Sequence, residues 1–139
     1  LLNQNTRGKG ELEIKKMEFK KEKEGKKPTV FLVQENPYIN VLSAQEYGDI
    51  VLLFESGQQI MFSPQPAIKK LRRKLKDFDD NDYLLMMGDP AAMGIACCIA
   101  SDMNRGRFKI LKWDKIQKKY YSVSVNINEK GEINEQDKL

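Results

Sequence analysis

The sequence predicts an α/β fold bordering on α+β. The expected form is a small mixed β-sheet with two main helices packed on it, in the order hairpin–helix–strand–helix–hairpin. Three observations lead there. Two stretches pair β-type runs around turn residues, at 50–62 and 107–127. One segment, residues 66–78, places Ile68, Leu71, Leu75 and Phe78 at helical spacing. Between the helical segments lies the apolar run Tyr83–Met87, followed at once by Gly88-Asp89-Pro90, the mark of a strand running into a helix.

In chain order, Thr29–Val33 is β-branched and aromatic and reads as a strand, with Asn36-Pro37-Tyr38 turning the chain. Ser43 is placed to cap a short helical turn through Tyr47, ended by Gly48. Ile50–Phe54 and Gln59–Phe62 flank Ser56-Gly57, which predicts a hairpin. The first arm is apolar throughout, so burial on both faces is expected. Ser63 is the expected cap of the next helix, with Pro64 and Pro66 around its first turn. Asp89 should cap the second helix, Ala91–Ala100, with Pro90 in first position. That helix is apolar nearly all round. The crossover from Tyr83 to Trp113 should be parallel and right-handed. In the last strand Tyr121, Val123, Val125 and Ile127 share one face, predicting one buried and one wet face.

Of the 139 residues, 1–28 form a charged extension expected to be disordered, 29–127 a single domain, and 128–139 a polar tail. The formal charge of +4 does not belong to the domain. Residues 1–28 carry nine basic against five acidic residues, and the rest of the chain is balanced at fifteen of each. The first methionine is Met17, and the codons AAA GGA GAA for Lys9-Gly10-Glu11 would resemble a ribosome-binding site. Residues 1–16 therefore read either as translated leader or as a tail cut from a longer protein. A chain of this size needs neither disulfide nor metal to fold. No apolar run reaches the ~18–20 residues that span a bilayer, so no membrane contact is expected.

The chain has no histidine, which removes the commonest general base and the usual Ser-His and Cys-His machinery. Its two cysteines, Cys97 and Cys98, are adjacent and cannot build an all-cysteine zinc site. They read as core packing in a reducing compartment. No catalytic residues, cofactor or metal are expected. Asp77, Asp79, Asn81 and Asp82 superficially resemble the start of a calcium loop, but the positions that need Gly and Glu hold Asp82 and Gly88. A helix-to-strand turn is the simpler reading.

Two features could carry binding. Gly88 and Asp89 stand where a strand's carboxyl end meets a helix N-terminus, a place suited to anions or ligands. A helix cap alone is the simpler reading of Asp89, with an acid, base or metal ligand as the alternative. Two cationic stretches, Lys69, Lys70, Arg72, Arg73, Lys74 and Lys76 on the first helix and Arg105–Lys119 on the last hairpin, hold most of the domain's basic residues. In the second, Arg105, Arg107, Lys109 and Lys112 accompany Trp113 and Tyr120, a pairing able to hold phosphates and stack bases. A solvated helix face and a charged edge hairpin give the same pattern.

The run from Asp80 to Ala96, with Gly88-Asp89-Pro90 at its centre, and the run from Gly106 through Lys112-Trp113-Asp114 carry a resemblance. Over residues 47–127 the chain resembles small uncharacterised proteins of tailed, especially marine, bacteriophages. The resemblance implies a strand, Gly-Asp-Pro and an Ala/Ile-rich helix before a Lys-Trp-Asp strand. It implies no activity, so no functional residue is carried over. The expected setting is the cytoplasm of an infected bacterial host.

These readings converge on a non-catalytic accessory binding module. Its basic patches would contact nucleic acid or a phage or host protein that handles it. One alternative is a protein-interaction or virion-accessory domain that self-associates. Another is a small phosphate- or nucleotide-binding enzyme centred on Asp89.

Overall fold

Strand β1 (Thr29–Gln34) is apolar on both sides from Val30 to Val33 and is buried on both. An interior parallel strand is the arrangement that satisfies such a run. A computed structural model, which describes residues 26–60 and 63–130, places it there. The sheet has five strands in the order β2-β1-β3-β4-β5, with β2 at Asp49–Phe54, β3 at Tyr83–Leu85, β4 at Arg107–Asp114 and β5 at Lys119–Asn126. The first four strands run parallel, and β5 returns antiparallel beside β4. The fold is the expected mixed α/β sheet with two helices.

Helix α1 (Gln65–Lys74) and helix α2 (Pro90–Met103) lie on one face. Leu71, Leu75 and Phe78 are buried there with Phe31, Val33, Leu53 and Leu84, but the helix, expected through Phe78, stops at Lys74, and Phe78 reaches the core from the turn that follows. The opposite face is covered by the segment between β1 and β2. Its 3-10 turn (Leu42–Glu46) seals a second cluster of Val30, Leu32, Ala44, Leu85, Leu111 and Tyr120. Strands β1 and β3 are thus covered on both sides, but β2, expected to be buried on both faces, is the sheet's edge strand and leaves Val51 39% exposed.

Several local expectations need correction. The residues beyond Ser56-Gly57 do not return as a strand: Gln59 and Ile60 are irregular, and Met61 and Phe62 lie outside the described residues. The turn itself forms, with Gln58 N donating to Glu55 O at 3.4 Å. The chain is then pinned across the end of β1, because Gln34 Nε2 donates to Gln58 O at 2.5 Å. Strand β2 finds its partner in β1 instead. Ser43 does not cap the 3-10 turn, which begins one residue earlier where Asn40 Oδ1 accepts from Leu42 N at 2.9 Å. Ser63 does not cap α1 either; Pro64 holds that position without a side-chain bond. Asp89 does cap α2, its Oδ2 accepting from Ala92 N at 3.2 Å.

The largest difference concerns β5. Tyr121, Val123 and Ile127, expected in the core, are 38%, 36% and 64% exposed, whereas Tyr120 on the other face is buried. The helices sit over β1, β3 and the flank of β4 and do not extend across β5. Tyr120 is closed in by Trp113, with ring centroids 4.9 Å apart, and by Tyr47, whose hydroxyl donates to Tyr120 O at 2.9 Å. The charged extension before residue 26 and the tail from residue 131 lie outside the described residues.

Candidate functional site

With strand order 2-1-3, the chain leaves β1 over one face of the sheet and leaves β2 and β3 over the other. The carboxyl ends of β1 and β3 therefore border the crevice where open α/β sheets place their ligands. Gly88 and Asp89 do stand there. The crevice is filled by a side chain that sequence reasoning missed. Gln34, at the end of β1, is buried, and its Oε1 accepts from Asp89 N at 2.6 Å. Its Nε2 donates to Glu55 O at 3.1 Å and to Gln58 O. Gly88 has φ of +110°, and a Cβ there would collide with the Gln34 side chain. The glycine thus admits both the left-handed backbone and the glutamine.

Two backbone donors near the α2 N-terminus are consequently in use, Asp89 N by Gln34 and Ala92 N by the Asp89 carboxylate. Beside this knot lies a cleft of about 300 Å³ bordered by Phe54, Gln58, Ser63, Lys70 and Ala92. Lys70 Nζ lies 5.0 Å from the Phe54 ring centroid.

The acidic turn is structural. Asp82 is buried, with Oδ1 accepting from Thr29 N and Oδ2 from Asp79 N, both at 3.0 Å. Burial pushes its carboxyl above the ordinary range, opposed by those two N–H groups. Asp79 Oδ1 accepts from Asn81 N, and Asp80 pairs with Arg107 at 3.3 Å. Among the described residues, no three His, Cys, Asp or Glu side chains converge in a metal-like group.

The basic residues divide into separate regions. On α1, Arg72 pairs with Asp102 of α2 at 2.9 Å, and Lys74 Nζ donates to Leu52 O at 2.7 Å. Burial, then Lys70 and Arg73, lower the Lys74 pKa. Lys69, Arg73 and Lys76 project into solvent. On the hairpin, Lys109 Nζ sits 4.0 Å from the Tyr83 ring centroid, and Arg105 is exposed at the base. Helix α2 lies between α1 and β4, so the helix and hairpin cations do not form one strip.

The far end of the hairpin is different. Lys112, Lys115, Lys118 and Lys119 are all exposed there, with half-exposed Trp113 on one face, Tyr121 and Lys112 on the other, and Asp114 as the single acid. Lys112 Nζ stands 5.8 Å from the Tyr121 ring centroid. Tyr120, a predicted stacking residue, is 5% exposed and supports Trp113 from below. Tyr121 is the tyrosine that faces solvent. Only the number of residues by which β4 and β5 overlap separates these two roles, and the sequence does not state it.

Cys97 is half-buried, its Sγ 3.8 Å from Met86 Sδ, and burial followed by Cys98 raises its pKa. Cys98 is exposed, contrary to the core reading of the pair, because the helix turns it away from the sheet. It borders an apolar groove between the helices with Ile68, Gly94 and Ile95.

Comparison with known proteins adds one finding. The profile of the phage Pam3 gp32-like protein family matches residues 28–127. The chain belongs to that family. This agrees with the phage resemblance carried by the Gly-Asp-Pro and Lys-Trp-Asp runs, and it brings no established function. No curated protein and no solved structure gives a match. Among the described residues, no helix is long and apolar enough to cross a membrane.

Proposed function

We propose that this phage-family protein is a non-catalytic accessory module that binds nucleic acid through the tip of its β4–β5 hairpin. The observation that carries the reading is the exposed Lys112, Lys115, Lys118 and Lys119 at the tip, with half-exposed Trp113 on one face of the hairpin and Tyr121 on the other. Lysines without rigid partners neutralise phosphates, and a half-exposed indole offers a face on which any base can stack. The preferred ligand is a single strand, because stacking needs unpaired bases.

Trp113 is the chain's only tryptophan, so its fluorescence reports directly on the tip. Titration with a single-stranded oligonucleotide at low salt should quench it, with affinity falling as salt rises. Replacing Lys115 and Lys118 by Ala should reduce the salt slope by about one for each phosphate left without its lysine. Arg73→Ala, on the remote helix face, should leave the slope unchanged. No quenching at low salt, or equal weakening by the helix variant, overturns the reading.

A further inference from the structure

The β5 edge has an unusual pattern of open and closed backbone groups. Ile127 N donates to Gly106 O at 2.9 Å, just beyond the β4–β5 register. Bonded and non-bonded pairs alternate along an antiparallel ladder, so Val125, Val123 and Tyr121 turn their backbone groups inward to β4. Tyr120, Ser122, Ser124 and Asn126 turn theirs outward. Two outward carbonyls are occupied at the strand ends: Tyr47 Oη donates to Tyr120 O, and Glu129 N donates to Asn126 O at 3.2 Å. Among the described residues nothing pairs with the backbone of Ser122 or Ser124 on that side.

This open segment also lacks the devices that normally blunt a sheet edge. From Tyr120 to Asn126 there is no charge and no proline, and the register with β4 is unbroken by a bulge. On the helix side the edge carries Tyr121 and Val123, each more than a third exposed, and half-buried Val125.

We infer that the β5 edge pairs with the β5 edge of a second copy of this chain, antiparallel and with the two-fold axis at Val123. The sequence around that point is close to palindromic, Tyr-Ser-Val-Ser-Val, which suits an isologous contact. In this register Ser122 of each copy opposes Ser124 of the other, giving about four backbone hydrogen bonds from the groups left open. Val123 meets Val123, and Tyr121 meets Val125 on both sides of the axis. No like charges oppose each other. Lys119 faces Ile127 and comes alongside the turn holding Glu129. The contact is small, at the low end of specific interfaces, so the dimer is reversible. The two hairpin tips would stand roughly 26 Å apart, from eight residues of strand.

Sedimentation velocity on the full chain, from micromolar to millimolar concentration, should show a monomer–dimer equilibrium. Val123→Lys places like charges on the axis and should shift dimerisation at least tenfold higher in concentration. Ser124→Pro removes an outward N–H that the monomer does not use and should do the same, with circular dichroism checking that each variant folds. In a Cys98→Ser background, Val123→Cys should form a disulfide-linked dimer on mild oxidation. The expected Cα separation for a non-bonded pair, about 4.5 Å, suits a disulfide. Ile116→Cys, on the hairpin turn, should not cross-link. A strict monomer throughout, or a dimer that neither Val123→Lys nor Ser124→Pro weakens, overturns the inference. The nucleic-acid reading is tested separately, because Trp113 quenching is read on Val123→Lys as well.

Discussion

The interior strands β1 and β3 and the edge strand β5 are alike in valine and aromatic content but differ in surroundings. Strands β1 and β3 are covered by helices on one face and by the β1–β2 segment on the other. Strand β5 is just as rich in valine and aromatic residues, yet it keeps Tyr121 and Val123 at the surface. An apolar side chain contributes by what lies over it. The helices stabilise one half of the sheet and leave the other half available for contact.

The sharpest way to break this comparison is a pair of truncations. Leu84→Ala, in a fully buried side chain of β3, should destabilise by about 2–5 kcal/mol in urea unfolding. Val123→Ala, at low protein concentration, should change stability by at most about 0.5 kcal/mol. Equal effects would mean that β5 is covered after all.

The next effect belongs to Asp82, which joins the start of β1 to the turn before β3. Asp82→Ala strands two N–H groups, Thr29 and Asp79, and should cost about 2–4 kcal/mol. A pH dependence accompanies it. Burial raises this carboxyl's pKa in the folded protein. The linked stability is therefore fully present at low pH and is lost as pH rises through the folded value. The stability margin of wild type over Asp82→Asn should shrink from acidic to neutral pH. A margin that widens would show that the two N–H groups outweigh burial.

Smallest is the cap. Asp89→Ala should cost about 1 kcal/mol, read as a shift in the urea midpoint. A loss several times larger would mean that the carboxylate does more than accept from Ala92 N.

Legibility in the sequence followed the range of the interaction. Asp89 as cap, the buried face that Leu71 begins and the β4–β5 hairpin all depend on residues close in the chain and were readable, although the helix ends at Lys74 and leaves Phe78 in the turn. Ser56-Gly57 correctly marked a turn, but the parallel pairing of β2 with β1 leaves no trace in local pattern. The alternation in β5 predicted one buried and one wet face, but both faces are largely open apart from Tyr120, since helix length and placement decide what is covered. At the candidate site the cations and Trp113 were visible. Their division between a remote helix and the hairpin tip, and the exchange of Tyr121 for Tyr120, required the register. Gln34 gave no signal, because its partners are 21, 24 and 55 positions away.

Those separations have a kinetic consequence. The glutamine amide cannot engage until β2 has been delivered beside β1, the chain has turned at Ser56-Gly57, and β3 has arrived on the other flank. Non-local closures of this kind slow folding more than they alter stability. The Asp89 amide proton, held by Gln34 at the mouth of the crevice, is therefore expected to exchange with the opening of that end of the sheet. Its exchange would keep time for the assembly of three segments rather than for the fraying of one helix.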